Sequence, residues 1–346
     1  MSIRYRFALV FVLALGSWSS PSKGDDRNPC RQRACDFEIV PRVEGGRLAQ
    51  GAEATEAPLV AFEHQPDGLQ IRIGGQPFAR YVYGTEATTR PFFESIHAPD
   101  GTQVTRNNPP IEGVDLADHP TFHPGLWLAF GDLNGADSWR NKDRIRHAGF
   151  DEPPQGGPGR GTFVVSNRYE KGGKVIGEED CRITVLVRPT GYLLLWDSRF
   201  RPVGGDLGFG DQEEMGMGVR VATPLAVVKG GRITDSEGRV NEAEVWGQQA
   251  DWCAYGGEIG GKRVGVALMP HPENFRRSWF HARDYGLLEA NPFGRNAFTG
   301  GEKSRVVVRA REALRLRFGV LIHDDEPDLT GAYRDYLLQA GSPRER

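Results

Sequence analysis

From about residue 57 the chain alternates short apolar runs with turn-forming residues. "LQIRIGG" (69–75) and "ARYVYG" (79–84) switch between apolar and polar at every second position. That is the repeat of a strand with one face in a core and the other in water. "APDGTQV" (98–104) sets an Asp-Gly turn between such runs, a hairpin signal. "GTFVVSNRYE", "CRITVLVRP" and "GYLLLWDSRF" predict three successive strands over residues 161–200, and "GMGVRVATPLAVV", "KRVGVALMP" and "SRVVVRAREALRLRFGVLIH" predict more. Strands about every ten residues with Gly or Pro between them indicate a mainly antiparallel all-β architecture, a large β-sandwich. One segment has helical spacing. "DLTGAYRDYLLQA" (328–340) repeats Leu329, Ala332, Tyr333, Tyr336, Leu337 and Ala340, and Asp328 or Thr330 is placed to cap it. Its expected role is to cover a sheet edge or an open end.

The leading residues differ. Arg4 and Arg6 precede an apolar run, Phe7–Leu15, the arrangement of a secretory signal peptide, assigned to residues 1–23. The run is short for a membrane span, so an exported, periplasmic or extracellular protein without a span after signal removal is expected. Residues 24–56 are polar and weakly periodic and read as a linker; residues 57–346 read as a single β-sandwich domain. Lys and Arg number 43 against 46 Asp and Glu, a net charge of −3, which offers nucleic acid no basic field. Cys30, Cys35, Cys181 and Cys253 leave three disulfide connectivities open. Oligomeric state is not legible.

Polar groups that can carry chemistry gather in four blocks. "DHPTFHPGLWLAFGDLNG" (118–135) holds His119, His123, Trp127, Asp132 and Asn134. Its prolines exclude a helix. Read as a loop entering a strand, it puts Trp127 on one face and Leu126, Leu128 and Phe130 on the other. Asp132 and Asn134 then sit at a Gly-bounded strand end, as site residues or as side chains closing a turn. In "PHPENFRRSWFHARDYGLLEANPFG" (270–294), an extended run gives Trp279, His281, Arg283 and Tyr285 a common face, with His271 and Asn274 in the preceding turn. An aromatic plane, an imidazole and a guanidinium together suit a polyhydroxylated ligand. "GDQEEMGMGVRV" (210–221) contributes Glu213, Glu214 and Arg220, and "EVWGQQADWCAYGGEIGG" (244–261) contributes Trp246 and Tyr255. No GxSxG elbow, P-loop, dinucleotide fingerprint or HExxH occurs.

The order of these blocks resembles a bacterial family of unknown function often labelled PmoA-like, or methane oxygenase PmoA. The resemblance rests on "HPGLWLAFGDLNG", "EEMGMGVRV", "WGQQADWCAYGGEIGG" and "HPENFRRSWFHARDYGLLEANPFG", and covers about residues 70–335. The sequence departs from that pattern in having Glu213 where a lysine is frequent and "TFHPG" where a His-His pair with Arg is frequent. The resemblance implies a β-sandwich of exported carbohydrate-use systems. It does not imply an oxygenase, since the chain after the leader has neither a candidate span nor a Cys-rich or His-rich copper site. The expectation is an exported carbohydrate-active protein, an enzyme of the lyase, isomerase or hydrolase kind. His123, His281, Asp132 and Glu214 would be acid–base groups, with Arg283 on a developing oxyanion. Trp127, Asn134, Arg220, Trp246, Tyr255, His271, Asn274 and Trp279 would contact the sugar. No cofactor and no metal are expected, although His119, His123 and Asp132 would be the ligands of a metal-dependent version. The alternative is a non-catalytic carbohydrate-binding or surface-associated β-protein. Both readings place the two histidine blocks around one cleft.

Overall fold

The computed structural model describes residues 56–341; the expected signal peptide (1–23), the expected linker up to residue 55, and Cys30 and Cys35 lie outside the described residues. Two large antiparallel sheets form a sandwich. One has ten strands in the order Gln248–Gln249, Trp279–Arg283, Leu287–Asn291, Met215–Arg220, Leu126–Phe130, Phe92–Glu94, Gln76–Val82, Gly68–Ile73, Leu59–Gln65 and Gly157–Pro158. The other has eight, in the order Arg232–Asp235, Cys253–Ile259, Lys262–Pro270, Leu314–Asp324, Gly191–Pro202, Lys174–Arg188, Arg160–Lys171 and Ile145–Gln155. Each sheet turns alternate residues inward. Leu126, Leu128, Met217, Val219, Leu288, Ala290, Phe280 and Ala282 from the first meet Ile183, Val185, Leu194, Trp196, Val266 and Val320 from the second in one continuous core.

The predicted helix forms as Leu329–Ala340, and the Asp328 carboxylate accepts the Gly331 N–H at 3.0 Å. It covers a sheet face rather than an edge. Ala332, Tyr333 and Tyr336 lie on Ala267, Met269 and Leu321, on the outer face of the eight-stranded sheet. Gly319 allows this approach, because a Cβ there would sit 2.7 Å from the Tyr336 ring. The Asp100-Gly101 turn forms, but it closes on a single bridge, His97 to Gln103, instead of two full strands. Two short helices, Asn241–Val245 and Arg295–Thr299, have five residues each, too few for a period to show in the sequence. Cys181 and Cys253 are buried free thiols.

Candidate active site

Strand pairing creates a polar row on the outer face of the ten-stranded sheet. His281 pairs with Glu289, Glu289 with Gly218, and Gly218 with Trp127. Their neighbours along each strand go to the core, so this row must face away from it. Gly218 is needed here, because a Cβ would lie 2.7 Å from the Trp127 ring.

Residues 116–123 lie over one end of the row as irregular backbone. Buried Arg106 supplies the partners that a sheet would otherwise provide. Its guanidinium donates to the carbonyls of Leu116, Asp118, His119 and His123 at 2.6–3.1 Å. Arg90 donates likewise to the Phe122, Ser138 and Trp139 carbonyls. So held, the loop stacks its rings in a column. Trp127 and His123 lie 5.3 Å apart, His123 and His119 4.5 Å, and His119 and Tyr285 5.5 Å, all within 19° of parallel. His119 has a φ of +47°, a strained conformation for a non-glycine residue.

The column runs from dry to wet. Trp127 is fully buried and His123 nearly so, whereas the His119 side chain is 37% exposed. Burial drives the His123 pKa well below the ordinary imidazole value; His119, Arg220, Arg90 and Arg106 add to the effect. His119 Nδ1 lies 2.8 Å from Asp118 Oδ2. Arg220 grips both oxygens of Asp118 at 2.6 and 2.7 Å and lies 4.7 Å above the Tyr285 ring. Partial burial works to raise the Asp118 pKa, but the hydrogen bonds from Arg220 and His119 outweigh it and bring it to about 2. A carboxylate fixed in this way holds Nδ1 as the donor and leaves Nε2 of His119 with its lone pair.

At the other end of the row, His281 Nδ1 lies 3.2 Å from Glu289 Oε2, and its Nε2 accepts from Arg283 Nε at 2.9 Å. Burial, reinforced by Arg283, lowers the His281 pKa to about 3. Fully buried Glu289 also accepts the Met215 N–H at 2.7 Å. Arg283 reaches outward to Glu213 at 3.0 Å and Glu242 at 2.8 Å and lies over the Trp246 ring at 5.6 Å. Glu214 pairs with Arg140 at 2.5 Å. Glu242, Trp246 and Arg283 line a shallow depression of about 270 Å³. His281 is also 3.5 Å from Glu213 Oε2, and the charge of His119 reaches it.

Asp118, His119 and His123 each offer one ligand atom, all within 4.8 Å of one another. The donor set suits a divalent cation poorly. Both oxygens of Asp118 are occupied by Arg220, and three guanidinium groups, from Arg90, Arg106 and Arg220, act on His123. Asp132 is not in the group.

Residues 68–335 match the family described as a family of unknown function, DUF6807. The chain belongs to that family. This corrects the PmoA-like resemblance: the matched family carries no oxygenase assignment, and among the described residues no helix is long and apolar enough to cross a membrane. No curated protein matches the chain. Solved structures similar to this DUF6807 chain include a TPR-domain containing protein from Parabacteroides distasonis, 10% identical, with 81% of this chain and 50% of that one covered and a TM-score of 0.42. A GalM/aldose epimerase homologue from C. elegans is 9% identical over 77% of this chain and 100% of that one, with a TM-score of 0.32. The heparan sulfate lyase HepC from Pedobacter heparinus is 10% identical over 80% and 37%, with a TM-score of 0.33. The chain thus spans about half the length of the first and about a third of the last. Several such neighbours are carbohydrate-active enzymes by name, but at these scores none of them bears on the site of the DUF6807 chain.

Of the residues expected at one cleft, His123, Trp127, Glu214, Arg220, Trp246, Trp279, His281 and Arg283 do share this face of the DUF6807 chain. Several stand there in a different capacity. Trp127 and Arg220 are buried; the first is floor, and the second is committed to Asp118. His281 has both ring nitrogens engaged and aligns Arg283. Trp279 is 8% exposed, beside Phe298. Five residues lie elsewhere. Asp132 accepts the Gly135 N–H at 2.8 Å, and Asn134 accepts from Gly208 and donates to the Asp206 carbonyl; both tie down a turn. His271 and Asn274 fasten the turn after Lys262–Pro270 to the Arg317 backbone, on the other sheet. Buried Tyr255 points into the core and donates to the Arg283 carbonyl. Asp118, His119, Arg140, Glu213, Glu242 and Glu289 supply what those five do not. Asp118, His119, Glu213 and Glu289 stood in the sequence blocks, but buried Glu289 gave no signal there beyond its i+8 spacing from His281.

Proposed function

We propose that the chain is an exported carbohydrate-active enzyme that acts on a sugar or glycoside through His/carboxylate general acid–base chemistry. One observation carries this reading: the half-exposed His119 imidazole is oriented through Nδ1 by an Arg-clamped carboxylate, on the face where Glu213 and Glu214 also surface. In this reading Nε2 of His119 takes a proton from the substrate, and Asp118 stabilises the imidazolium that results. Glu213 and Glu214 serve as partner acid–base groups. Arg283 and Arg140 donate to substrate oxygens on which charge develops. Trp246 and Tyr285 offer ring faces to sugar C–H groups. His123, His281, Trp127 and Arg220 position these groups and do not touch the substrate. No step calls for a metal or an organic cofactor.

The test incubates wild-type and His119→Gln protein in D₂O with aldoses, aryl glycosides and uronate-containing oligosaccharides. NMR follows epimerisation, bond cleavage and C–H exchange. Wild type turns over at least one class, and His119→Gln loses on the order of 10²- to 10⁴-fold in kcat while folding normally. A variant as fast as wild type refutes the assignment of the base. Sugar binding without turnover by wild type establishes the non-catalytic carbohydrate-binding protein instead.

A further inference from the structure

The eight-stranded sheet carries a second feature on the face that also holds the C-terminal helix. A cavity of about 420 Å³ opens beside the start of that helix, within the size range of small-ligand pockets. Its floor is again set by register. Arg232 pairs with Gly256, Gly256 with Gly265, and Gly265 with His323. The row crosses four adjacent strands, about 14 Å from end to end at ordinary strand spacing. Gly256 leaves the middle of the row open, and Gly265 beside it makes room for the His323 ring. The His323 ring leans onto Gly265, where a Cβ would fall 2.5 Å from Nε2. Gly256 stays open, since a Cβ there would meet only the Val264 carbonyl at 3.8 Å.

Polar groups ring this floor, and several lack partners. His323 is only 6% exposed; its ring faces the Asp324 and Asp325 backbone, and its Nδ1 makes no hydrogen bond of ordinary geometry, which is costly for a buried polar atom unless something else satisfies it. Arg232 and Glu258 face solvent without an ion pair among the described residues. Arg263 and Glu326 form an ion pair across the rim. Ala254 and Leu329 add apolar surface.

We infer that this cavity is a second ligand site, which takes a neutral monosaccharide unit laid flat on the open floor at Gly256, between Arg232 and His323. A pyranose presents C–H groups to a flat floor, and hydroxyls at its edge that both donate and accept. The rim supplies both complements, guanidinium donors and carboxylate acceptors. Asp325, Glu258 and Glu326 offset Arg232 and Arg263, so the rim does not select for an anion. The site lies on the sheet opposite His119 and does not rest on the proposed catalytic reading.

The test uses methyl hexopyranosides as probes, with saturation-transfer NMR and calorimetry on wild type, Gly256→Val, Arg232→Ala and His119→Gln. A β-branched residue at 256 fits an open strand position and fills the floor, while Arg232→Ala leaves the backbone untouched. The expected result is millimolar binding that falls at least tenfold in both cavity variants and persists in His119→Gln, while turnover persists in Gly256→Val. Absence of binding by any methyl hexopyranoside overturns the inference, as does binding unchanged in both cavity variants. Preference for a hexuronate over its neutral parent overturns the neutral-sugar assignment. Loss of turnover in His119→Gln alone bears only on the catalytic reading.

Discussion

Asp118→Asn changes one oxygen to nitrogen at the centre of the loop over the site, so its effect is electrostatic and not steric. The native carboxylate accepts two hydrogen bonds from Arg220, whose side chain is 1% exposed, and lies 2.8 Å from His119 Nδ1. A carboxyl brought from 3.8 to about 2 holds roughly 2.4 kcal/mol of native-state preference. A third of the Asp118 side chain meets water, and screening reduces this to about 1–2 kcal/mol. The variant also leaves a buried guanidinium without its counter-charge, which brings the total to about 2–4 kcal/mol at pH 7. The folded pKa is depressed, so this stability is present above pH 4 and is lost as pH falls toward 2. The gap between wild type and variant should therefore narrow over that window. Urea unfolding followed by circular dichroism at pH 7, 4 and 2.5 measures it. A variant within 0.5 kcal/mol of wild type at pH 7, or a gap that does not shrink in acid, refutes the reasoning.

Two further outcomes follow from the polar row. Gly218→Ala places a methyl against the Trp127 and Trp139 rings, at 2.7 and 3.0 Å; both rings are buried, so about 1–3 kcal/mol is lost, read as a lower urea midpoint with an unchanged m-value. Burial and Arg283 keep His281 neutral in the folded state, with its pKa at about 3 against 6.5 for a free imidazole. Its contribution is present above pH 6.5 and declines as pH falls toward 3, about 2 kcal/mol by pH 5. His281→Gln should flatten the wild-type fall in stability between pH 7 and 5 by that amount, and an unchanged slope in paired unfolding curves contradicts it.

The sandwich was legible where a strand has one wet face, because half-buried strands announce themselves by alternation. Gly68–Ile73 lies where alternation put it, and the strand expected from Cys181 begins earlier, at Lys174; Lys262–Pro270, buried on both faces from Val264 onward, showed itself instead as an apolar run between turn residues. The shared face of Trp279, His281 and Arg283 was legible from the two-residue repeat of a strand. Partners across strands were not. His281 and Glu289 face each other across a tight hairpin, eight residues apart, but nothing local shows that Gly218 stands beside Glu289, because that register is set by a pairing between segments some 70 residues apart. Residue type also misled where polar side chains serve the backbone. Asp132, Asn134, His271 and Asn274 look like chemistry and act as turn fasteners, and Arg220 looks like a ligand contact and is spent inside the protein. The sequence offers His119 only as a metal ligand, since its exposure comes from a loop shaped by Arg106, which lies outside all four blocks.

The four-strand row through His281, Glu289, Gly218 and Trp127 also limits how this chain can change length. Removing one residue from any of those strands would turn its polar member inward and bring an oily neighbour out, disabling the site and the interior together. Exposed turns outside the row, such as Gly172-Gly173 and Gly204-Gly205, can change length at lower cost. New selectivity would therefore arise by rebuilding the rim around an unmoving base.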